Sequence, residues 1–467
     1  MRIPRFGHIS LCGCVAAALL AGCSGSQGNL NGTNSLPNRN AGAALYAVRP
    51  LRPTASEDVL YTFAGSPDGQ SPFSGLLATK TGEFFGTTYS GGSGPNGGYG
   101  TVYEISASRA ERVLYSFAGG SDGSTPQAGV IAGSGGVLYG TTSDGGGSST
   151  CSNGCGTVYE LTPSGSNYTE RVLYAFKGRK DGSHPLGNLT LVNGKLYGTT
   201  GSGGGSTMCD TSSLSGCGTV FNLIPKGNAV SEKIVYAFKG GNDGALPLGP
   251  LIDVNGRLYG TTYGGGGIAG CHPLPYNSTD CGTVFSLTPS GHETVLYRFK
   301  GMAAGDGGNP RAALLESRGA FFGVTQYAGG NLSLCKYYGC GTAFELTRKG
   351  KAYAENVLYI FGTNTNDGAY PFDASGLVAD KAGNLYGTLW VATTPPSCFC
   401  GAVFKLHKKA RKYSESVLHY FGGGTDGAYP VAGLILRGSA LYGTTSNGGA
   451  ACYGSSESCG VVFRVTP

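Results

Sequence analysis

The chain has 467 residues, of which 85 are glycine, 28 tyrosine and 20 phenylalanine, and only 13% are charged. Short apolar runs recur between turn residues, and aromatic residues favour strands, so the composition predicts a turn-rich, all-β protein and argues against a disordered chain. The net charge of +6 is mild for this length, and no basic stripe is interleaved with aromatic residues, so we expect no nucleic-acid partner.

The first 22 residues are typical of an export signal. Two arginines precede a short apolar stretch, which is too short to span a bilayer as a mature helix. The residues "LAGC" at 20–23 resemble the bacterial lipobox, and this resemblance implies lipidation of Cys23 and anchoring by acyl chains. Ser24, in place of Asp, indicates sorting to the outer membrane. The alternative is an ordinary secretory signal with a cysteine at its cleavage site.

Residues 24–57 are rich in Gly, Ser and Asn and show no apolar period. Such a composition is typical of a flexible tether. The sequence therefore predicts three parts: a lipoprotein signal peptide at 1–22, a tether at 23–57 that begins with the lipidated Cys23, and a folded domain at 58–467.

The folded domain consists of seven copies of one unit that recurs about every 60 residues. Each copy contains a "VLYxF"-like strand, then Asp-Gly-x-x-Pro, a short apolar run, "LYGTT" or a relative, and "GTVYEL" or a relative. Four strands per unit predict a seven-bladed β-propeller. The "VLYxF"-like strands begin at Val59, Val113, Val172, Ile234, Val295, Val357 and Val417.

By analogy with other propellers, we expect the apolar run to be innermost and the "VLYxF" strand to be outermost. The domain then begins with an outer strand, Val59–Phe63, and finishes with a third strand, Gly460–Pro467. The N-terminal strand should complete the last blade, so that the two ends of the chain close the ring.

The repeat pattern resembles the GloVer tandem-repeat proteins, a bacterial cell-envelope family with varying anchors. The resemblance depends on "LYGTT" at 138, 196, 258 and 441, on "CGTVF/Y" at Cys155, Cys217 and Cys281, and on the "DGxxP" series. It implies a surface-exposed repeat domain, and it carries no established activity or catalytic residue. The sixth unit departs most, because Leu389 replaces the second Thr of "LYGTT".

Twelve cysteines form one pair in each unit after the first, between the second and third strands. A zinc site would hold its ligands at near-constant spacing, whereas these separations range from 2 to 10 residues. We therefore predict local disulfides and no metal. The predicted pairs are Cys151/Cys155, Cys209/Cys217, Cys271/Cys281, Cys335/Cys340, Cys398/Cys400 and Cys452/Cys459. Cys398/Cys400 is the least suited to a disulfide, because two extended residues hold their Cα atoms about 7 Å apart.

The aspartates of "DGxxP" have two interpretations. They could line a cation site, or they could stabilise a turn by accepting hydrogen bonds from nearby backbone. Recurrence in every unit favours the turn. The seven are Asp68, Asp122, Asp181, Asp243, Asp306, Asp367 and Asp426. For the mid-strand glycine of "LYGTT", we expect close approach by an aromatic ring of the "VLYxF" strand or of the adjoining blade.

The cysteine loops and the "DGxxP" turns should lie on one face of the propeller. Variable loops on a rigid scaffold are where binding usually occurs. The single-copy residues that stand out there as ligand candidates are Trp390, Tyr89, Tyr263, Tyr327, His272 and Asp144.

Three functions remain open at this point. The first is a lipid-anchored, monomeric, non-enzymatic platform that binds a glycan, a protein or a matrix component at the bacterial surface. The second is a hydrolase or lyase with its site at the mouth of the central channel. The third is a purely structural envelope protein. The sequence favours the first, because the six histidines share no motif and neither GxSxG nor HExxH occurs. It nominates no catalytic residue and no cofactor.

Overall fold

The computed structural model describes residues 55–467 except 166, 211–215, 227–228, 273–278, 330–334, 336–337, 365–366, 372–375, 393–398, 411 and 450–458. The predicted signal peptide, Cys23 and the tether up to residue 54 therefore lie outside the described residues. No helix in the described part has the length and apolar character that a membrane span requires. Its helices are single 3₁₀ turns at Pro95–Gly97, Ser134–Gly136, Thr207–Cys209 and Met302–Ala304.

Seven four-stranded antiparallel sheets form the blades of a β-propeller, as predicted. First strands have two or three residues and fourth strands six to nine, which suits blades that radiate from an axis. From first to fourth, the strands are Leu77–Ala78, Phe84–Thr88, Thr101–Ile105 and Glu111–Ser116 in blade 1; Ile131–Ala132, Leu138–Thr142, Thr157–Ser164 and Asn167–Ala175 in blade 2; Thr190–Val192, Lys195–Thr200, Thr219–Lys226 and Ala229–Ala237 in blade 3; Ile252–Val254, Arg257–Thr262, Thr283–Leu287 and Glu293–Arg298 in blade 4; Leu315–Ser317, Ala320–Thr325, Thr342–Lys349 and Ala352–Ile360 in blade 5; Val378–Ala379, Leu385–Leu389, Ala402–Lys409 and Lys412–Tyr420 in blade 6; and Ile435–Arg437, Ala440–Thr445, Val461–Thr466 and Ser56–Thr62 in blade 7.

The N-terminal strand closes the ring, which confirms the predicted closure by the two ends of the chain. Ser56–Thr62 pairs antiparallel with Val461–Thr466, with Ser56 opposite Thr466. The Phe63 N–H extends the pairing by donating to the Gly460 carbonyl at 3.1 Å. The strand begins at Ser56, two residues inside the segment predicted as tether.

The hydrophobic core lies between neighbouring blades. The Phe that ends each "VLYxF" motif packs edge-to-face on the third-strand aromatic of the next blade, with ring centroids 5.0–5.1 Å apart in all seven pairs. A single blade cannot bury these rings alone, so the repeats stabilise one another. The pairs are Phe63–Tyr103, Phe117–Tyr159, Phe176–Phe221, Phe238–Phe285, Phe299–Phe344, Phe361–Phe404 and Phe421–Phe463.

The prediction of which ring approaches the "LYGTT" glycine was wrong. The ring that covers Gly86 is that of Tyr103, which lies directly opposite it on the third strand of the same blade. A Cβ atom on Gly86 would overlap the Tyr103 hydroxyl oxygen, and one on Gly443 would lie 2.7 Å from Cζ of Phe463. The aromatic ring lies across its cross-strand partner, so only glycine leaves room for it.

Candidate functional site

The "DGxxP" segments and the loops that follow the second strands lie together, as predicted. In every blade the two form a short antiparallel ribbon or bridge, for example Gly69–Gln70 with Ser90–Gly91 in blade 1. The same pairing recurs in the other six blades. We call the surface made by these segments and loops the loop face.

The "DGxxP" aspartates hold the turns of the loop face in place. In six blades the outer-strand tyrosine donates its hydroxyl hydrogen to the Asp carboxylate at 2.7–3.0 Å, and backbone N–H groups donate to the same carboxylate. In the seventh, His419 Nε2 lies 3.4 Å from Asp426. These contacts favour the turn interpretation. In the described part of the chain, no three His, Cys, Asp or Glu side chains come together as metal ligands would.

Four of the six predicted disulfides are present, namely Cys151–Cys155, Cys209–Cys217, Cys271–Cys281 and Cys335–Cys340. Their Cα atoms lie 5.1–5.3 Å apart, although the sequence separations differ. Cys400 and Cys459 are disulfide-bonded too, and their predicted partners, Cys398 and Cys452, lie outside the described residues. Local disulfides of this kind indicate an extracellular or envelope protein.

Three of the six ligand candidates come together on the loop face of blades 4 and 5. The His272 ring stacks on Tyr327 at a centroid distance of 4.4 Å and an interplanar angle of 15°. The Tyr327 and Tyr263 side chains are close enough for each to shift the pKa of the other. Two further rings extend this group: Tyr370 lies 5.5 Å from Tyr327, and Tyr338 lies 4.4 Å from His272. We call these five residues the tyrosine cluster.

The tyrosine cluster has a buried base and an exposed rim. Tyr263 and Tyr327 are 8% and 6% exposed, whereas Tyr338 is 36% exposed. Burial raises the pKa of Tyr263 to about 12, although the nearby Arg311 charge opposes the shift. Burial also raises the pKa of Tyr327. Both hydroxyls therefore stay protonated at neutral pH and can act as hydrogen-bond donors.

Asn309 fixes the loops around the tyrosine cluster. Its amide nitrogen donates to the Tyr263 carbonyl at 2.9 Å and to the Asp280 carbonyl at 3.2 Å. Its amide oxygen accepts from the His272 N–H at 3.3 Å. Asn309 is completely buried, so it positions His272 and Tyr263 relative to each other.

Gln326 adds a buried polar group beside the cluster. It directly precedes Tyr327 and is only 1% exposed, and its backbone N–H bonds to Asn309. Neither its amide nitrogen nor its amide oxygen has a hydrogen-bond partner among the described residues. A buried amide without partners is costly and is found at sites that receive a ligand or water.

Asn309, Arg311, Gln326, Tyr338 and Tyr370 were not identified from the sequence. When the seven repeats are aligned, one variable position contains both Asn309 and Tyr370. The residue before the "DGxxP" proline is Ser71, Thr125, His184, Leu246, Asn309, Tyr370 or Tyr429 in the successive repeats. Because the residue type varies so widely at this position, the shared fold does not determine it.

Asp144 lies in a second polar group, between blades 2 and 3. The Thr125 hydroxyl donates to its carboxylate at 2.9 Å, and His184 Nε2 lies 3.7 Å from the other carboxylate oxygen. Burial raises the pKa of Asp144. Burial lowers the pKa of His184, and the Asp144 charge opposes that shift. His184 is another residue that the sequence did not nominate.

The two remaining candidates make separate aromatic contacts. Tyr89 packs against Phe73 with ring centroids 5.4 Å apart, and Trp390 lies 6.1 Å from Tyr429. Both pairs belong to the loop face. The rings that they contact, Phe73 and Tyr429, do not belong to the tyrosine cluster.

Solved structures with similar architecture are enzymes of several kinds. An ulvan lyase of a polysaccharide lyase family is 9% identical, covers 87% of this chain and 95% of its own, and has a TM-score of 0.49. The PQQ-bound aldose sugar dehydrogenase from Streptomyces coelicolor is 13% identical, with 88% and 98% covered and a TM-score of 0.38. A luciferin-regenerating enzyme is 14% identical, with 71% and 87% covered and a TM-score of 0.37. These likenesses assign no activity to the chain.

The family comparison is more specific. A search of curated proteins found no match. The family model of the Gloeobacter/Verrucomicrobia repeat matches residues 18–271 and 274–456, which is most of the sequence. The chain therefore belongs to the Gloeobacter/Verrucomicrobia repeat family.

Proposed function

We propose that the protein is a lipid-anchored, monomeric binding platform of the bacterial outer membrane, and that the tyrosine cluster binds a glycan. The observation that carries this proposal is the group of five rings on the loop face, with buried hydroxyls at its base and Tyr338 at its rim. The lipobox-like "LAGC" supports the anchor, and the local disulfides agree with export.

The repeating scaffold does not need an aromatic ring at the position of Tyr327. The residues equivalent to Tyr327 in the other repeats are Ser90, Asp144, Ser202, Gly264, Val391 and Asn447. A position that tolerates serine, glycine and valine is not held aromatic by packing requirements. Aromatic residues that depart from a repeat on its loop-bearing face are therefore candidates for binding.

The chemistry of the cluster suits a sugar. Tyrosine combines an apolar ring face with a hydroxyl, so it can cover the C–H face of a sugar and bond to its hydroxyl groups. Tyr263, Tyr327 and the Gln326 amide supply hydrogen-bonding groups in a largely apolar surround. Such a combination of apolar walls and a few placed polar groups is typical of small-ligand sites.

The test is a glycan array probed with the full chain in detergent, followed by titration of each hit. Tyr338→Ala should weaken binding about threefold to tenfold, as expected for the loss of one exposed aromatic contact. Tyr327→Phe, which removes only the hydroxyl, should also weaken it. Tyr168→Ala, in the outer hairpin of blade 2, is the matched control and should bind normally. Equal affinities for Tyr338→Ala and the wild type would count against the proposal.

The anchor needs a separate test. Cells that express the wild type should incorporate labelled palmitate into the protein, and Cys23→Ala should abolish the label and release the protein from membranes. Cys12→Ala, in the predicted signal peptide, is the matched control. A labelled Cys23→Ala variant would reject the anchor.

A second candidate function is a hydrolase or lyase, and the Asp144–His184 pair favours it. A half-buried histidine with a lowered pKa is neutral at pH 7, so it can accept a proton from water or substrate, while Asp144 stabilises the charge that forms. In a screen of polysaccharide and ester substrates, His184→Gln should then reduce any turnover about 100-fold or more. His292→Gln, at an exposed outer hairpin, is the control. Turnover that survives His184→Gln would exclude this pair as the catalytic one.

A further inference from the structure

The hairpins that join third to fourth strands lie at the end of the blades opposite the loop face. Each third strand begins beside the loop face and runs away from it, and the fourth strand returns antiparallel. In blade 6, for example, the third strand begins at Ala402, two residues after Cys400, and the chain turns back between Lys409 and Lys412. We call the surface made by these hairpin tips the hairpin face.

Positive charge is concentrated on the hairpin face of blades 5 and 6. Six basic side chains at the tips of these two hairpins are exposed, and none of them forms an ion pair with a carboxylate among the described residues. The carboxylates of the same hairpins, Glu345, Glu355 and Glu415, are half-buried. The basic patch, as we call the six, consists of Arg348, Lys349 and Lys351 in blade 5 and Lys408, Lys409 and Lys412 in blade 6.

The inner hairpin of blade 6, which joins its first and second strands, lies against the basic patch. The Lys408 backbone N–H donates to the Asn384 amide oxygen at 2.9 Å. Lys381, which is exposed in the same inner hairpin, therefore adds a further positive charge to this surface. The Asp380 carboxylate beside it is engaged within the hairpin, where it accepts from the Asn384 amide nitrogen at 2.7 Å.

The fold does not require these charges. Lys409 lies directly opposite Lys412 in the antiparallel pair, and like charges at such positions are destabilising. The same turn in blade 2 has Ser164 opposite Asn167, so it forms without lysine. The basic patch therefore departs from the repeat at some cost in stability, and departures of this kind are expected at functional sites.

The outer strand of blade 7, with which the folded chain begins, starts on the hairpin face. Ser56 lies opposite Thr466, at the end of a third strand. Blade 7 adjoins blade 6 in the ring. The predicted tether therefore joins the domain on the same side as the basic patch, whereas the tyrosine cluster lies on the opposite side.

We propose that the basic patch docks on the anionic lipid headgroups of the membrane to which the predicted anchor attaches the chain. Clusters of about four to eight Lys and Arg residues close to a bilayer are attracted to anionic headgroups. A tether of the predicted length and composition spans about 30 Å on average, so it keeps the basic patch near the bilayer and raises its effective concentration there. The choice of a membrane as the partner rests on the proposed anchor.

Docking through the basic patch orients the molecule. The anchor alone limits how far the domain lies from the bilayer, but it leaves the domain free to turn about its tether. With the hairpin face on the headgroups, the loop face and its tyrosine cluster point away from the membrane, where a ligand outside the membrane can reach them. Because salt screens the attraction, it supplements the anchor and does not replace it.

The test uses the full chain with Cys23→Ala, which has no lipid anchor, and measures cosedimentation with vesicles at low ionic strength. The protein should bind vesicles of phosphatidylcholine mixed with phosphatidylglycerol about tenfold or more tightly than vesicles of phosphatidylcholine alone, and added salt should abolish the difference. The combined changes Lys349→Gln, Lys409→Gln and Lys412→Gln should weaken binding to the anionic vesicles about tenfold or more. This triple variant should unfold at the same or a higher urea concentration, because Lys409 and Lys412 no longer repel each other.

The matched control removes three positive charges beside the loop face instead. Lys177, Lys180 and Lys239 are exposed. The hydroxyls of Ser148 and Ser206, which belong to the loops after the second strands, donate to the Lys177 and Lys239 carbonyls at 3.2 and 2.8 Å. The combined changes Lys177→Gln, Lys180→Gln and Lys239→Gln alter the net charge by the same amount and should leave vesicle binding unchanged.

Equal binding to both kinds of vesicle, or equal weakening by the two triple variants, would overturn the proposal. Binding to heparin but not to anionic vesicles would assign the basic patch to an acidic polysaccharide and would overturn it too. If the first triple variant fails to fold, Arg348→Gln combined with Lys351→Gln should show the weakening, and normal binding by that variant would reject the patch. Absence of palmitate labelling would reject the anchor without changing the vesicle result, so the two failures are distinguishable.

Discussion

Thr444, in the second strand of blade 7, donates its hydroxyl hydrogen to the Ser74 carbonyl, 370 residues earlier in the chain, at 3.0 Å. The bond joins the last blade to the first. The equivalent threonine joins four other pairs of blades in the same way: Thr87 to Ala128, Thr199 to Gly249, Thr261 to Ala312 and Thr388 to Ala432. The first prediction concerns this bond.

Thr444→Val should destabilise the protein by about 1 kcal/mol, because it removes a buried hydrogen bond without changing the shape of the side chain. Val324 occupies the equivalent position in blade 5, so the valine shape fits. Urea unfolding measures the change. The control is Thr141→Val, because the Thr141 hydroxyl is buried without a partner among the described residues. That variant should be neutral or stabilised, and equal losses in both variants would contradict the role of the bond.

Gly387→Ala should cost about 1–3 kcal/mol. Its new Cβ would lie 2.7 Å from Cζ of Phe404, and overpacking of this degree forces ring and backbone to shift. Gly424→Ala is the matched control, because a Cβ there meets nothing within 4 Å. We expect Gly424→Ala to unfold at the wild-type urea concentration or slightly above it. A neutral Gly387→Ala would mean that the blades are more loosely packed than the structure indicates.

Tyr103→Phe should stabilise the protein by about 1 kcal/mol. The Tyr103 side chain is completely buried, and its hydroxyl has no hydrogen-bond partner among the described residues. Five of the seven repeats have phenylalanine at this position, so removing the hydroxyl leaves a ring that fits. Tyr115→Phe removes a hydroxyl that donates to Asp122 at 2.8 Å, and it should instead destabilise. Calorimetry of the two variants gives shifts of opposite sign if this reasoning is right.

Replacing Cys271 and Cys281 by serine should cost about 2–3 kcal/mol, because the disulfide closes a short loop in the unfolded chain. It should also disturb the tyrosine cluster, since Cys271 directly precedes His272, which stacks on Tyr327. The near-ultraviolet circular dichroism of tyrosine reports that disturbance. The same double replacement at Cys151 and Cys155 should cost about 2 kcal/mol and leave the tyrosine signal unchanged. Identical spectra for both double variants would show that the Cys271–Cys281 disulfide does not hold the tyrosine cluster in place.

The strand order and the ring closure could be predicted because they depend on local and repeated features. Each unit alternates apolar segments with Gly, Asn and Pro turns, and seven equal units can bury their faces only against one another. The cysteine pairs were predictable for the same reason, since both members lie in one loop.

The contacts of the "LYGTT" glycine show where such reasoning ends. The glycine itself indicates a close approach, but the identity of the approaching ring depends on cross-strand register. Gly86 faces Tyr103, while the Phe of the "VLYxF" motif, which was expected there, packs on the neighbouring blade instead. Register is a property of paired strands, and a single strand does not encode its partner.

The sequence by itself determined the seven-bladed architecture and its closure by the N-terminal strand, because both follow from a unit that repeats seven times along the chain. Only the tertiary structure decided which residues of the loop face meet. Tyr263, His272, Tyr327, Tyr338 and Tyr370 come from two adjoining blades and the turn into a third. These side chains are brought together by the radial packing of blades. The sequence of a single repeat does not show which residues of another blade will lie beside it.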